Sequence, residues 1–235
     1  MNGPLATAIT TLAATPDHAP SVPRQLAAVA QLTTDRVAAA HYTSITALQG
    51  RSHITVAVSD ELIRAVDEVQ YREGAGPCVD SLSLNSPVGV PDIDRTVLWP
   101  GFHEQAPRLG LHASVSVPLF AGRGDAVAVL NVYSRDRVAM APLIAGICLV
   151  HGHLTQEQEE VDEARLAELD PGGQELVAGY AAALDVRATI RLAVQLIAMA
   201  GGCGPDEAYL ALCTRAGVAG TDLAEAAAKM VGEGL

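Results

Sequence analysis

The spacing of apolar residues changes period several times along the chain, and each change predicts an element. From about Val22 the apolar positions Leu26, Val29, Ala30, Leu32 and Val37 fall on one face of a helix. The period then drops to two. Tyr42–Leu48 and His53–Val58, around a Gln49-Gly50 turn, predict a β-hairpin, and a helix follows from about Asp60 to Gln70. The stretch Tyr71–Asp80 is rich in loop residues, and a short strand is expected at Val88–Val90. Two further strands, Ala113–Leu119 and Ala126–Tyr133, are joined by the turn Gly122–Asp125. Together these elements predict an α+β fold, an antiparallel sheet with helices to one side.

The C-terminal third returns to a helical period. Met140–Leu169 is expected to be helical, apolar at first and acidic over Glu157–Glu163, where Leu154 and Val161 fit a heptad seam interrupted by Gln158 and Arg165. Asp170-Pro171 supplies an N-cap and a first-turn proline for the next helix. From about Glu175 the pattern is that of three short amphipathic helices, with a core of Ile190, Ala193, Ile197, Ala208, Leu212, Leu223 and Val231. The first twenty residues are small and polar, with Pro4, Pro16 and Pro20, which predicts a loosely docked lead segment. The expected organisation is therefore a flexible lead at 1–20, a sensor-like domain at 21–150, a helical linker at 151–173 and a three-helix domain at 174–235.

Composition narrows the function classes. The 235 residues are 49% hydrophobic and 18% charged, which describes a chain with real cores. A net charge of −12, with Lys229 the only lysine, argues against nucleic-acid binding through bulk electrostatics; no DNA partner is expected, and any phosphate contact has to be local. No secretory signal is expected, because no basic residue precedes the mildly apolar N-terminal run, and no membrane span is expected, because no apolar run is long enough. Cys78, Cys148, Cys203 and Cys213 lack Cys-x-x-Cys spacing, which suits reduced thiols and a cytoplasmic location.

Two resemblances add to this picture. Gln70–Cys78, Trp99–Phe102, Ser116–Leu119 and Leu130–Ser134, in that order, resemble the GAF domain of actinobacterial regulators, over roughly residues 22–137. Arg187–Ala193, Gly201–Leu212 and Leu223–Val231 resemble the ANTAR domain, a small RNA-binding module of antitermination regulators. The GAF resemblance implies a small-molecule sensor, with Tyr71, Gly74, Gly76, Cys78, Trp99 and Asn131 as candidate pocket residues. The residues identify no ligand and no cofactor. The ANTAR resemblance implies a homodimer that holds structured mRNA stem-loops and so controls transcription antitermination, with Arg187, Arg191, Arg215 and Lys229 as candidate RNA contacts. That face is degenerate: 194–195 are Val-Gln where the family usually has Lys-Gly, and 220–222 are Gly-Thr-Asp where Asn, Arg and Lys are usual.

Other chemistry weighs less. His151 and His153 lie two apart, which points them to different faces of a helix, so they suit solvated histidines better than a metal pair. A methionine sulfoxide reductase, as some GAF proteins are, needs several cooperating thiols, and only Cys78 and Cys148 fall in this region. The expectation is a non-enzymatic regulator with no catalytic residues. Its rival is a regulator whose three helices bind protein, by dimerisation or with another partner, instead of RNA.

Overall fold

The frame of the molecule is a five-stranded antiparallel sheet. Its strands are β1 (Tyr42–Gln49), β2 (Ser52–Val58), β3 (Val88–Val90), β4 (Ala113–Phe120) and β5 (Ala126–Ser134), in the order β2-β1-β5-β4-β3. The computed structural model describes residues 3–50, 52–152 and 167–233.

Alternation along the strands gives the sheet two different faces. Ile45, Ala47, Val115, Val117, Leu119, Ala128, Leu130 and Val132 point into the main apolar core. That core is closed by α1 (Pro4–Ala13), α2 (Val22–Arg36), α6 (Arg137–Val150) and the first half of a long helix, α7 (Pro171–Gly201). The opposite face carries Ser44, Thr46, Ser114, Ser116, Asn131 and Tyr133, all buried as well. It is covered by α3 (Arg64–Glu73) and α4 (Pro77–Leu84), with α5 (Pro100–Arg108) packed beside α3. Helices therefore lie on both faces, not on one. The α+β assignment stands, while the one-sided arrangement is corrected. Its cause is legible afterwards: buried hydroxyls on the second face look like solvent-facing positions when read by period alone.

The expected lead segment is instead a docked helix. Leu5, Ile9 and Leu12 of α1 are buried in the main core, and Pro4 opens the helix at a position where its missing N–H costs nothing. Glu175 of α7 supplies what the α1 terminus lacks, its carboxylate accepting from the Leu5 amide at 3.1 Å. The same carboxylate pairs with Arg36 at the end of α2, with Arg36 Nε at 3.0 Å. Close approach completes the packing: a Cβ at Gly179 would stand 2.7 Å from the Ala6 Cα.

α7 is one helix of 31 residues, not a short one beginning near 174. Asp170 caps it as expected, accepting from the Gly172 amide at 3.0 Å. Leu176, Val177, Tyr180 and Ala183 belong to the main core. Ile190, Ala193 and Ile197 belong to a second core with α8 (Pro205–Ala219) and α9 (Leu223–Glu233). The change of core thus falls inside α7, between residues 183 and 190. The seam of Leu154, Gln158, Val161 and Arg165, the acidic run and His153 lie outside the described residues.

Candidate functional site

Strand register builds the site. Asn131 of β5 lies directly between Ser44 of β1 and Ser116 of β4, so three polar side chains form one row across the sheet. The next row is Tyr42, Tyr133 and Ser114. The Asn131 amide spends both N–H groups on the sheet, to Ser44 Oγ at 3.0 Å and Thr46 Oγ1 at 2.9 Å, while its oxygen accepts from Ser116 Oγ at 2.9 Å.

From there the hydroxyls run in one direction. Ser44 Oγ donates to Asp67 Oδ1 at 3.1 Å, and the Tyr133 hydroxyl donates to the same oxygen at 2.7 Å. Thr55 Oγ1 donates to Asp67 Oδ2 at 2.9 Å. Thr55 has a single proton, so its 2.8 Å contact with Tyr71 requires the Tyr71 hydroxyl to donate; Tyr71 then accepts from Thr46, also at 2.8 Å. Every donor in the cluster therefore ends on the carboxylate of Asp67, which is fully buried. Burial pushes Asp67 up to about 6, against the opposing pull of its hydroxyl donors and of Arg64. Burial likewise raises the Tyr71 and Tyr133 phenols. His53 of β2 stacks on Tyr71 with ring centroids 5.8 Å apart, and burial lowers its imidazole. Ser114 Oγ has no hydrogen-bond partner among the described residues.

The structure brings together only part of the predicted pocket. Tyr71, Cys78 and Asn131 converge on Thr46. Gly74 and Gly76 serve the backbone instead. Gly74, at φ +60°, ends α3 in the left-handed region, and Gly76 caps α4 where a Cβ would overlap the Gln70 side chain. Gln70 uses that space, its oxygen accepting from the Cys78 amide at 3.1 Å. The expected loop at 71–80 is thus two helices with a tight glycine joint. Trp99 lies apart, donating from Nε1 to Asp80 Oδ2 at 2.9 Å and meeting Phe102 edge-on. Sequence reasoning missed Ser44, Thr46, Thr55, Asp67, Gln70, Ser114, Ser116 and Tyr133. For the strand residues the available signal was a period-two run of polar residues on strands whose other face is apolar; Asp67 and Gln70 lie on α3 and gave no such signal.

The four candidate RNA contacts do not form one face. Arg187 donates to the Gly124 carbonyl and lies 4.2 Å over the Phe120 ring, half-buried, and burial lowers its pKa. Arg191 pairs with Asp125 at 3.4 Å. Both are turned to the β4–β5 turn. Arg215 and Lys229 instead line a separate groove of about 550 Å³ between α8 and α9, with Thr221, Glu225 and Met230.

Cys78 is fully buried, and burial raises its thiol, the opposite of what a nucleophile needs. Cys148 lies on α6, across the sheet from Cys78. His151 pairs with the Tyr180 hydroxyl at 2.7 Å and stacks on its ring. Among the described residues no grouping of His, Cys, Asp and Glu would hold a metal ion, and no helix is long and apolar enough to cross a membrane.

The family model described as GAF domain matches residues 23–147, more than half of the chain. No curated protein matches it. Among solved structures, the chain is similar to the type II free methionine-R-sulfoxide reductase from Thermoplasma acidophilum, at 15% identity and a TM-score of 0.41, over 72% of this chain and 94% of that one. It is similar to the nlh2 GAF domain of A. aeolicus in an inactive state, at 12% identity and a TM-score of 0.40, over 75% and 93%. A third is the free methionine-R-sulfoxide reductase from Neisseria meningitidis in complex with its substrate, at 18% identity and a TM-score of 0.39, over 77% and 89%.

Proposed function

The chain belongs to the GAF domain family, and from that premise we propose that it is a sensory regulator. Its sensing element is the polar face of the sheet beneath α3 and α4, and its output element is the unit of α7, α8 and α9. The observation that carries the sensor reading is the cross-strand row of Ser44, Asn131 and Ser116, buried beside Asp67 and Tyr133. A sheet needs no such row for stability, since apolar residues there would avoid desolvating so many polar groups. The occupant it suits is a small molecule with several hydrogen-bonding groups, which would exchange bonds with Asn131, Tyr71 and the unpartnered Ser114 hydroxyl. A thermal-shift screen of small polar metabolites tests this: a true ligand raises the melting temperature of the wild type and raises that of Ser114→Ala or Tyr71→Phe less. If no compound raises it, the sensor reading fails.

The output we propose is structured RNA, two adjacent stem-loops held by a homodimer so as to favour antitermination. The resemblance of the helical unit to ANTAR domains supports it, as does the Arg215–Lys229 groove, where two cations stand together in an acidic protein. Single-stranded loop bases are the readable part of such an RNA. The test is RNA binding titrated over salt, with Arg215→Ala and Lys229→Ala weakening it and flattening its salt dependence. A second reading, that the helices bind protein, is favoured by the exposed apolar side chains Leu192 and Met199 spaced two turns apart on α7. Absence of binding to any two-stem-loop RNA at low salt would select that reading.

A further inference from the structure

The turn between β4 and β5 carries two opposite charges, and each meets its complement on the helical unit. Arg123 pairs with Asp206 at the start of α8 and with Asp17 of the α1–α2 loop at 3.3 Å, and lies 4.9 Å over the Tyr209 ring. Two residues later Asp125 accepts from Arg191 at 3.4 Å, and between them the Gly124 carbonyl accepts from Arg187. Gly122 at φ +57° and Gly124 at φ +89° make this possible, because the turn needs left-handed backbone and stands against Tyr209 and Arg187 with no room for a Cβ. Further bonds join the halves of the molecule: the Leu223 amide donates to the Ala14 carbonyl at 3.2 Å, the Asp17 amide donates to the Tyr209 hydroxyl at 3.3 Å, and that hydroxyl donates to Asp17 Oδ1 at 3.0 Å.

Arg187 and Arg191 lie one helical turn apart, and what faces them is an oxygen pair, one carbonyl and one carboxylate. Guanidinium groups bind phosphate oxygens through the same donors. We infer that the Gly122–Asp125 turn is an internal competitor for a polyanionic partner, occupying on Arg187 and Arg191 the seats that successive phosphates of a nucleic-acid backbone would take. The inference rests on the RNA reading of the helical unit, whose other cations, Arg215 and Lys229, lie in the separate groove between α8 and α9. Releasing the turn adds two cations to it. The ion pairs of this latch are substantially exposed, and exposed pairs are individually weak and screened by salt, so the closed form is poised to open.

The test uses the full chain with Arg123→Ala and Asp125→Ala combined, neither being a proposed RNA contact. Amide exchange at Leu223 and Asp17 reads the docking directly. Binding is measured with a two-stem-loop RNA and with long-chain inorganic polyphosphate, which offers the phosphate repeat without bases. The expected result is exchange at least tenfold faster at both amides, with affinity for polyphosphate raised at least tenfold and the gain lost when Arg187→Ala and Arg191→Ala are added. If the amides deprotect and neither probe binds more tightly, the turn is not a competitor and the inference is overturned; unchanged exchange also overturns it. A gain on polyphosphate with no binding of RNA by either protein sustains the masking and removes the RNA reading alone.

Discussion

Tyr133 donates its hydroxyl to Asp67 at 2.7 Å, joining the centre of the sheet to the helix that covers it. Three hydroxyls converge on that one carboxylate, from Ser44, Thr55 and Tyr133, and none of them needs to turn for the ionised acid to be satisfied. Protonating Asp67 would instead place a donor among donors. Burial nevertheless favours the neutral acid strongly enough to lift its pKa from 3.8 to about 6. The two demands conflict, and the stability of the cluster consequently depends on pH.

That conflict has a defined sign. A buried acid with a raised native pKa keeps its proton in the folded state over a range in which the unfolded chain has lost it. Its contribution to stability is therefore full below about pH 4 and is lost as pH rises through about 6. The difference corresponds to roughly 3 kcal/mol. Urea unfolding of the wild type and of Asp67→Asn across this window should show their stabilities diverging in the variant's favour as pH rises, then running parallel above about 7. A constant difference across the window would show that Asp67 titrates normally.

Asn131 is the hub from which the donors are directed. Asn131→Leu leaves Ser44, Thr46 and Ser116 with unmet hydrogen bonds inside the core and should cost about 2–4 kcal/mol. Ser114→Ala removes a hydroxyl without a partner among the described residues, and should change stability by less than about 0.5 kcal/mol or raise it. Denaturant midpoints compared between the two variants check the contrast.

The strands were legible because their period of two is local: β3 occupies the expected Val88–Val90, and β4 and β5 each extend only one residue past the expected ends. α4 and α5 were not legible, since each begins at a proline, Pro77 and Pro100, in a stretch whose glycines suggest loop. In both cases the proline fills a first-turn position. α1 was hidden by the small and polar residues among which its buried Leu5, Ile9 and Leu12 are set, and its seat depends on the close approach of α7 at Gly179. Tyr71, Cys78 and Asn131 could be named from motifs. Gln70 opens one of those motifs, but its bond to the Cys78 amide depends on the tight joint of α3 and α4, and Asp67 could not be named because its role depends on which strands lie beneath α3.

The close approach of α1 and α7 is itself testable. At Gly179 a Cβ would press on the backbone of Ala6, which cannot swing aside as a side chain would. Gly179→Ala should lose about 1–3 kcal/mol despite its higher helix propensity, whereas Gly217→Ala, in α8 with open space around its Cα, should be stabilising by about 0.5–1 kcal/mol. Thermal unfolding of the two variants reads the opposite signs.

Cys78 distinguishes a buried structural thiol from a catalytic one. Its side chain lies between Val79, Leu82 and Val129, and burial keeps its proton on. Iodoacetamide should therefore modify Cys78 in the native protein only as fast as the domain opens, and urea near the unfolding midpoint should accelerate the reaction at least a hundredfold. A reactive thiol would behave otherwise, alkylating within minutes in native buffer and faster as pH rises toward about 8, because the thiolate is the reacting species. Peptide mapping after timed quenching separates Cys78 from Cys203 and Cys213, which are partly exposed and serve as internal references. Rapid native labelling at Cys78 would reopen the reductase reading that its burial now opposes.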